Sequence, residues 1–290
     1  MEPTNHTHAG IYVLDPYQDR PRLVDQFEIM REEVMAGVDR ALVCGKLSTD
    51  PATARWRWID VGCGEGLFLR AVGQRYTATS GVGIDRDSEA IQTATAAFGR
   101  PGLLFIVHDV TQPLPAHLGS GTATVAGKGF NFVFANVVLM HIREVDRALT
   151  NLAASLLTGG IILTRDWYST VLTFPHPSFQ ALFAVGIEAL ARTACPDYAA
   201  NPSAHLTAAG FTDLIVSRYA YPIGGTTPTG QQMFKNLLAG WYALRSAAVD
   251  HLQIMGGSEY DNHLRRLQSN EVTPAMAGEI VLTTTIGRKR

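Results

Sequence analysis

Asp60-Val61-Gly62-Cys63-Gly64-Glu65-Gly66 constrains this chain more than any other stretch. Its turn, Gly62 to Gly66, follows the short stretch 57–61, which reads as a strand, and leads into Leu67 to Val72, which reads as the start of a helix. Alternate glycines let a backbone approach a ligand with no Cβ in the way. The free N–H groups at the start of the following helix face the same space. The spacing is G-x-G-x-G, whereas dinucleotide folds place G-x-G-x-x-G where a helix N-terminus receives a pyrophosphate. A strand leading through such a turn into a helix opens a βαβ unit, and open α/β sheets bind ligands at the carboxyl ends of their strands.

The pattern around the turn extends that reading. Leu23, Phe27, Met30, Val34, Val38 and Leu42 recur at steps of three and four, which predicts an amphipathic helix from about 20 to 43. Strands are expected at 82–85, 103–108, 130–135 and 161–164, with a helix over 88–98 that Asp87 caps. Ile142, Val145, Leu149, Leu152 and Leu156 define a helix over 141–157, and Gly159-Gly160 sits where a C-cap is expected. Strands alternating with helices imply right-handed crossovers and a mostly parallel sheet covered on both faces. After Asp166 the pattern loosens into aromatics and prolines. A strand is expected at 214–219, helices at 229–252 and 260–267, and a β-branched strand at 280–286. Residues 1–10 are polar and read as disordered.

Composition narrows the function. Hydrophobic residues make up 46% and charged residues 17%, values of a globular chain. The formal net charge of −2 and the lack of a basic stripe argue against nucleic acid. No apolar run approaches the ~18 residues of a membrane helix, and the polar start lacks a signal peptide's apolar segment. Cys44, Cys63 and Cys195 are odd in number and fit no zinc spacing, so reduced thiols and a cytoplasmic location are expected. His6 and His8 lack a third ligand, and no metal is expected.

Three acids stand at the ends of three successive strands: Asp60 beside the turn, Asp85 after the second strand and Asp109 after the third. At these residues the chain resembles the class I S-adenosylmethionine (SAM)-dependent methyltransferase superfamily. Asp60 to Gly66 looks like its first motif, Asp85 like its ribose acid and His108-Asp109-Val110 like its adenine motif. Phe130 to His141 resembles the fourth strand and the segment after it, with Asn131 where many members have Asp. The resemblance is good over about 56–166 and looser to the last two strands, which in the family form a reversed pair. It implies a Rossmann-like, seven-stranded, mostly parallel sheet with a helical lid, and SAM as cofactor. Three regions follow: a helical lid over 1–50, a SAM-binding core over 51–166, and the rest of the sheet with substrate-binding insertions at about 167–205 and 222–275. The start of the chain, with Tyr12 and Arg22-Leu23-x-x-Gln26, resembles the lid of members that act on small molecules. The expected cofactor-binding residues are Asp60, Gly62, Cys63, Gly64, Gly66, Asp85, Arg86, Asp109, Val110 and Asn136.

A sulfonium donor is already activated, so the protein must align the acceptor and exclude water. A base helps only where the acceptor loses a proton. His141, after the fourth strand, is a candidate base, or else a capping or packing residue. Asp166, ending the fifth strand, is a second catalytic candidate: it orients a substrate, takes a proton, or caps the following loop. Asn136 donates or accepts at the rim, or bonds its own loop. Tyr12, Trp167, Tyr168 and His176 are candidate walls of an apolar acceptor pocket, as are Phe174 and Trp241, although Trp241 lies on a helix stripe. The leading expectation is methyl transfer to a small, partly apolar acceptor, with a biosynthetic enzyme of specialised metabolism in view and a homodimer allowed. The alternative is a methyltransferase-like protein that binds SAM without transferring methyl, as a cyclase-type catalyst or a non-catalytic partner. An NAD-dependent dehydrogenase is disfavoured by the glycine spacing.

Overall fold

The computed structural model describes residues 14, 16–48, 50, 56–77, 79–115, 118, 129–269 and 271–290, without the side chains of 16–18 and 168–172. Tyr12, the tail over 1–10 and both its histidines lie outside the described residues.

The described chain runs α1 (Pro16–Cys44), β1 (Arg57–Val61), α2 (Leu67–Arg75), β2 (Ser80–Asp85), α3 (Ser88–Phe98), β3 (Leu103–Val107) and β4 (Phe130–Asn136). It continues through α4 (Val145–Ser155), β5 (Leu156–Thr173), α5 (Pro177–Thr193), α6 (Pro202–Ala208), β6 (Phe211–Gly224), α7 (Pro228–Ser246), α8 (Gly257–Gln268) and β7 (Ala277–Lys289). The seven strands form one sheet in the order β3-β2-β1-β4-β5-β7-β6, with β7 antiparallel to both of its neighbours. The chain thus has the α/β, Rossmann-like architecture that the alternating pattern predicts.

Alternation along each strand divides two cores. Trp58, Phe132, Phe134 and Leu163 face α1, α2, α5 and α7, and pack with Phe27, Met30, Val34 and Trp241. Ile59, Val133, Ala135 and Ile162 face the opposite layer, where α4 supplies Leu149 and Leu152.

The second half differs from the sequence expectation. Helix α4 ends at Ser155, and Gly159, with φ +78, lies inside β5 rather than at a helix cap. Strand β5 runs on past Asp166 to Thr173, with a register shift between Trp167 and Leu172. Its antiparallel partner β7 carries it beyond the point where the apolar signal stops. Helix α5, over a stretch that reads as irregular, starts with Pro177 in its first turn, where a missing N–H costs nothing.

One buried ion pair fastens α1 to the sheet. Arg165, on β5, is fully buried. Its Nη2 donates to Glu33 Oε2 of α1 and to the Tyr221 hydroxyl at 3.3 Å. Its Nε donates to Thr284 Oγ1 at 3.3 Å and its Nη1 to Asn136 Oδ1 at 2.7 Å. Tyr221 donates in turn to Glu33 at 3.1 Å. Further along α1, Asn236 of α7 donates to the Arg22 carbonyl at 2.7 Å.

Replacing Arg165 by Leu removes the buried cation from Glu33 and the donor from Asn136 Oδ1. Removing one partner of a buried pair is expected to cost roughly 3–5 kcal/mol, read as a lower urea midpoint at unchanged slope. Wild-type stability in Arg165→Leu would show that the pair does not hold α1 down.

Candidate functional site

The glycine turn is shaped by what crowds it. Gly62 has φ +63, and a Cβ there would lie 2.4 Å from a Val138 methyl, so glycine is needed for two loops to meet. Gly66, with φ +80, would press a Cβ to 2.5 Å from the Phe105 ring as α2 begins. A Cβ on Gly64 would meet nothing within 4 Å, because that residue opens onto a cavity.

This cavity, open to solvent on one side, has a volume of about 980 Å³ at the carboxyl ends of β1, β2, β3 and β4. That is the upper end of the range for small-molecule sites. Its floor is the turn, with Gly62, Cys63 and Gly64 exposed to it. One side carries Asp85, Arg86, His108, Asp109 and Val110, and the other Asn136, Val137, Val138 and His141. The roof is the first part of α1, with Asp19, Arg22, Leu23, Gln26 and Phe27, facing Phe68 of α2. Phe27 and Phe68 meet edge to face at 4.7 Å.

Polar bonds hold the walls. Asp85 accepts from the Gly64 N–H and the Asp87 N–H, each at 2.9 Å, so one carboxylate fixes both the turn and the start of α3. Burial raises its pKa, against the pull of those two N–H groups. Asp109 folds its own loop, accepting from the Thr111 N–H at 2.9 Å and hydroxyl at 2.8 Å. Arg20 closes the mouth, pairing with Glu89 at 2.9 Å and lying 3.5 Å from Asp87 and 3.9 Å from Glu65. Arg22 grips Asp19 through two nitrogens and donates to Asn236 at 3.3 Å.

His141 ends a 3-10 turn, Leu139–His141. Burial pushes its pKa down to about 4, the Arg22 charge lowers it further, Asp19 opposes the shift and Arg86 adds least. It is therefore a neutral imidazole at neutral pH. Val137, just before the turn, holds φ +56, a strained conformation for a β-branched residue. Its N–H is tied to the Arg165 carbonyl at 2.6 Å.

Several expected site residues lie off the wall. Asp60 is buried behind the turn, where the Leu69 N–H at the start of α2 is its backbone partner. Burial, with Asp85 beside it, raises its pKa to about 8, and its Oδ2 finds no partner among the described residues. Gly66 is likewise behind the wall, under Phe105. Asp166 does not line the cavity. It supports the wall from beneath: its Oδ1 accepts from the Met140 N–H at 3.2 Å. Trp167 packs against Tyr221 at 5.9 Å, within the α1-side core. Tyr168 continues β5, its side chain outside the described set. His176 caps α5, its Nδ1 accepting from the Ser178 N–H at 3.2 Å, and lies near Glu271 at 3.7 Å. A strand that continues through 167 explains the last four, because it carries them away from the rim. Among the described residues no group of three or more His, Cys, Asp or Glu is placed to hold a metal.

Sequence reasoning missed Asp19, Arg20, Phe68 and the Glu33–Arg165 pair. Their roles depend on how α1 crosses the sheet, and spacing along the chain holds no record of that crossing.

Comparison with known proteins agrees with this geometry. A family model described as a methyltransferase domain matches residues 27–266. An uncharacterized methyltransferase of Mycobacterium tuberculosis is 27% identical over 122 residues, 42% of this chain and 52% of that protein. The chain spans about half the length of the curated relatives it matches. Among solved structures, the YcgJ protein of Bacillus subtilis superposes with a TM-score of 0.55 at 13% identity, over 88% of this chain and 99% of that one. A Haemonchus contortus phosphoethanolamine N-methyltransferase, solved with SAM, gives a TM-score of 0.53 at 15% identity, over 97% of this chain and 61% of that one. At these identities the structural likeness establishes the fold alone.

Two predictions follow from the walls. Asp85→Ala should weaken binding of S-adenosylhomocysteine by roughly 1.5–3 kcal/mol, the worth of a hydrogen bond to a charged group, measured by calorimetry. Unchanged affinity would remove Asp85 from the site. Asp166, with a folded pKa of about 8 above an unfolded value of 3.8, binds more protons folded than unfolded between those limits. Its contribution to stability therefore falls as pH rises through that window. Asp166→Asn, which cannot ionise, should lose less stability from pH 5 to pH 8 than the wild type in urea titrations. Parallel pH profiles would contradict a buried, protonated Asp166.

Proposed function

The chain belongs to the methyltransferase family whose domain model spans residues 27–266, and on that premise we propose that it is a SAM-dependent methyltransferase acting on a small, partly apolar acceptor. The observation that carries the reading is one roofed cavity with a glycine floor, Asp85 and Asp109 at the ends of adjacent strands, and an aromatic pair beneath α1. The site fits the cofactor: Gly64 opens directly onto the cavity, where a Cβ would otherwise project. In this reading Asp85 accepts from the ribose hydroxyls and Asp109 from the adenine amino group, and the position of both on the cavity wall supports it.

When bound, the cofactor supplies an activated methyl group. The residues of this chain do the rest. Phe27 and Phe68 exclude water, and the exposed Leu23 and Val24 offer further apolar surface to an acceptor. The roof of α1, fixed by Arg165 and Asn236, limits how an acceptor lies. His141, neutral and on the wall, accepts a proton from a hydroxyl or amine as that group loses it. Asp166 holds the backbone of the His141 turn and does not touch the reacting atoms. The net charge of −2 disfavours a nucleic acid as acceptor.

The test uses SAM with a deuterated methyl group, incubated with the protein and a small-molecule extract of its source and read by mass spectrometry. A labelled small molecule is the expected result. Tight cofactor binding with no labelled product would favour the SAM-binding protein without methyl transfer. With the acceptor in hand, His141→Ala should lower kcat while cofactor affinity stays within a few-fold. Undiminished kcat would return His141 to a packing role.

A further inference from the structure

Among the described residues no strand lies beyond β6, which ends the sheet order far from the cavity. Residues 215–220 of β6 are all exposed, on both faces at once. The α1-side layer buries Tyr221 and Ile223 and stops short of them. Ile215 is 50% exposed, Val216 44% and Tyr219 46%. A long apolar edge is a template for a further strand, and chains usually blunt it with charge, bulges or proline. In β6 the bulge and the proline stand only at the ends. The register shifts between Thr212 and Ile215, with Asp213 at φ +51, and Pro222 follows the exposed run.

The backbone of the run is set for pairing. The Glu279 N–H of β7 donates to Thr173 Oγ1 at 3.3 Å, toward β5. Its pair with Pro222 is therefore of the non-hydrogen-bonded kind, and Pro222 faces away from β7, where a missing N–H is tolerated. The register is continuous from Ile215 to Gly224, so Val216, Arg218 and Ala220 also turn their N–H and C=O groups to the open side. On the α1 side of the strand, Ile215 borders an open hollow of about 180 Å³, lined also by Cys44, Ile161 and Ile286. Tyr219 stands exposed on the same face, four residues along.

We propose that this edge binds a second copy of the chain, β6 against β6, antiparallel about a twofold axis at Ser217. Val216 of each copy then exchanges N–H···O=C bonds with Arg218 of the other. Tyr219 of each copy meets Ile215 of the other at the rim of the hollow, so one symmetry operation fills both hollows. Arg218 opposes a valine rather than its own counterpart, and Pro222 lies outside the paired stretch. A hollow and an aromatic on one short run are self-complementary, which singles out a second copy over an unrelated strand. A standard interface takes about 20–30 residues from each side, and this edge offers fewer, so the dimer dissociates on dilution through the micromolar range.

The test is sedimentation of the full chain over a concentration series. The wild type should pass from the monomer mass to twice that mass. Val216→Pro removes an N–H that β7 does not use, and Tyr219→Lys puts a charge against the hollow. Both should stay monomeric at the highest concentration, with melting temperatures close to the wild type's. The axis sets the two Ser217 Cα atoms about 4.5 Å apart, within reach of a disulfide. Ser217→Cys should therefore yield, on mild oxidation, a peptide linked 217 to 217, which mass spectrometry separates from any bond through Cys44, Cys63 or Cys195. A dimer that persists in Val216→Pro and Tyr219→Lys, or one that gives no 217-to-217 link, would place the contact elsewhere and overturn the proposal. A wild type that stays monomeric throughout would also overturn it and leave the edge to a strand of another protein.

Discussion

Arg165 is the interaction on which the rest of the structure leans. Taking a guanidinium fully out of water costs several kcal/mol unless a carboxylate and further acceptors replace the solvent. Here those partners are Glu33 of α1, Asn136 of β4, Tyr221 of β6 and Thr284 of β7. Burial lowers the Arg165 pKa to about 10, which still leaves it charged at neutral pH. The charge is therefore satisfied only when four elements besides its own strand are in place. The consequence reaches the cavity from two directions, because α1 is its roof and Asn136 is part of its wall.

The same residue contributes through its backbone. The Arg165 carbonyl holds the Val137 N–H, and its neighbour Asp166 holds the Met140 N–H, so two adjacent residues of β5 brace the segment after β4. That bracing is needed, because a valine at φ +56 is strained by roughly 1–3 kcal/mol and would relax if unconstrained. Relaxation would move Val138 away from Gly62 and carry His141 with it. Glycine at 62 thus serves the protein's own packing as much as any ligand, since the Val138 methyl occupies the space of the missing Cβ.

The first half of the fold was legible in the sequence because local signals and tertiary structure agree there. Apolar runs of five to seven residues, glycine turns and capped helices mark β1 to β4. The second half was not, because β5 and β7 extend each other. Thr173 and Glu279 pair at the far end of a ladder that begins at Ile161 and Arg288. Such length comes from a partner distant in sequence, and the polar and aromatic residues at 165–168 disguise it. At the site, the stripe along α1 announced a helix but not the direction it faces. Asp19, Arg22 and Phe27 became wall residues only once α1 lay across α2 and α7.

Depth along the strand separates the acids that line the cavity from those that support it. Asp85 is the last residue of β2 and Asp109 lies beyond the end of β3, and both reach the cavity, as does Asn136 at the end of β4. Asp60 stands one residue inside β1, and Asp166 lies well inside β5. Both point into the protein, where burial raises each pKa to about 8. At the strand ends, backbone N–H groups of the following loop are the partners: Gly64 and Asp87 for Asp85, and Thr111 for Asp109. One step further in, the same residue type loses solvent, tends to hold its proton and bonds the backbone of the adjoining turn. The pattern of acids along the sequence is the same in either case. The strand boundary decides which acids meet a ligand, and β5 set that boundary later than its apolar run indicates.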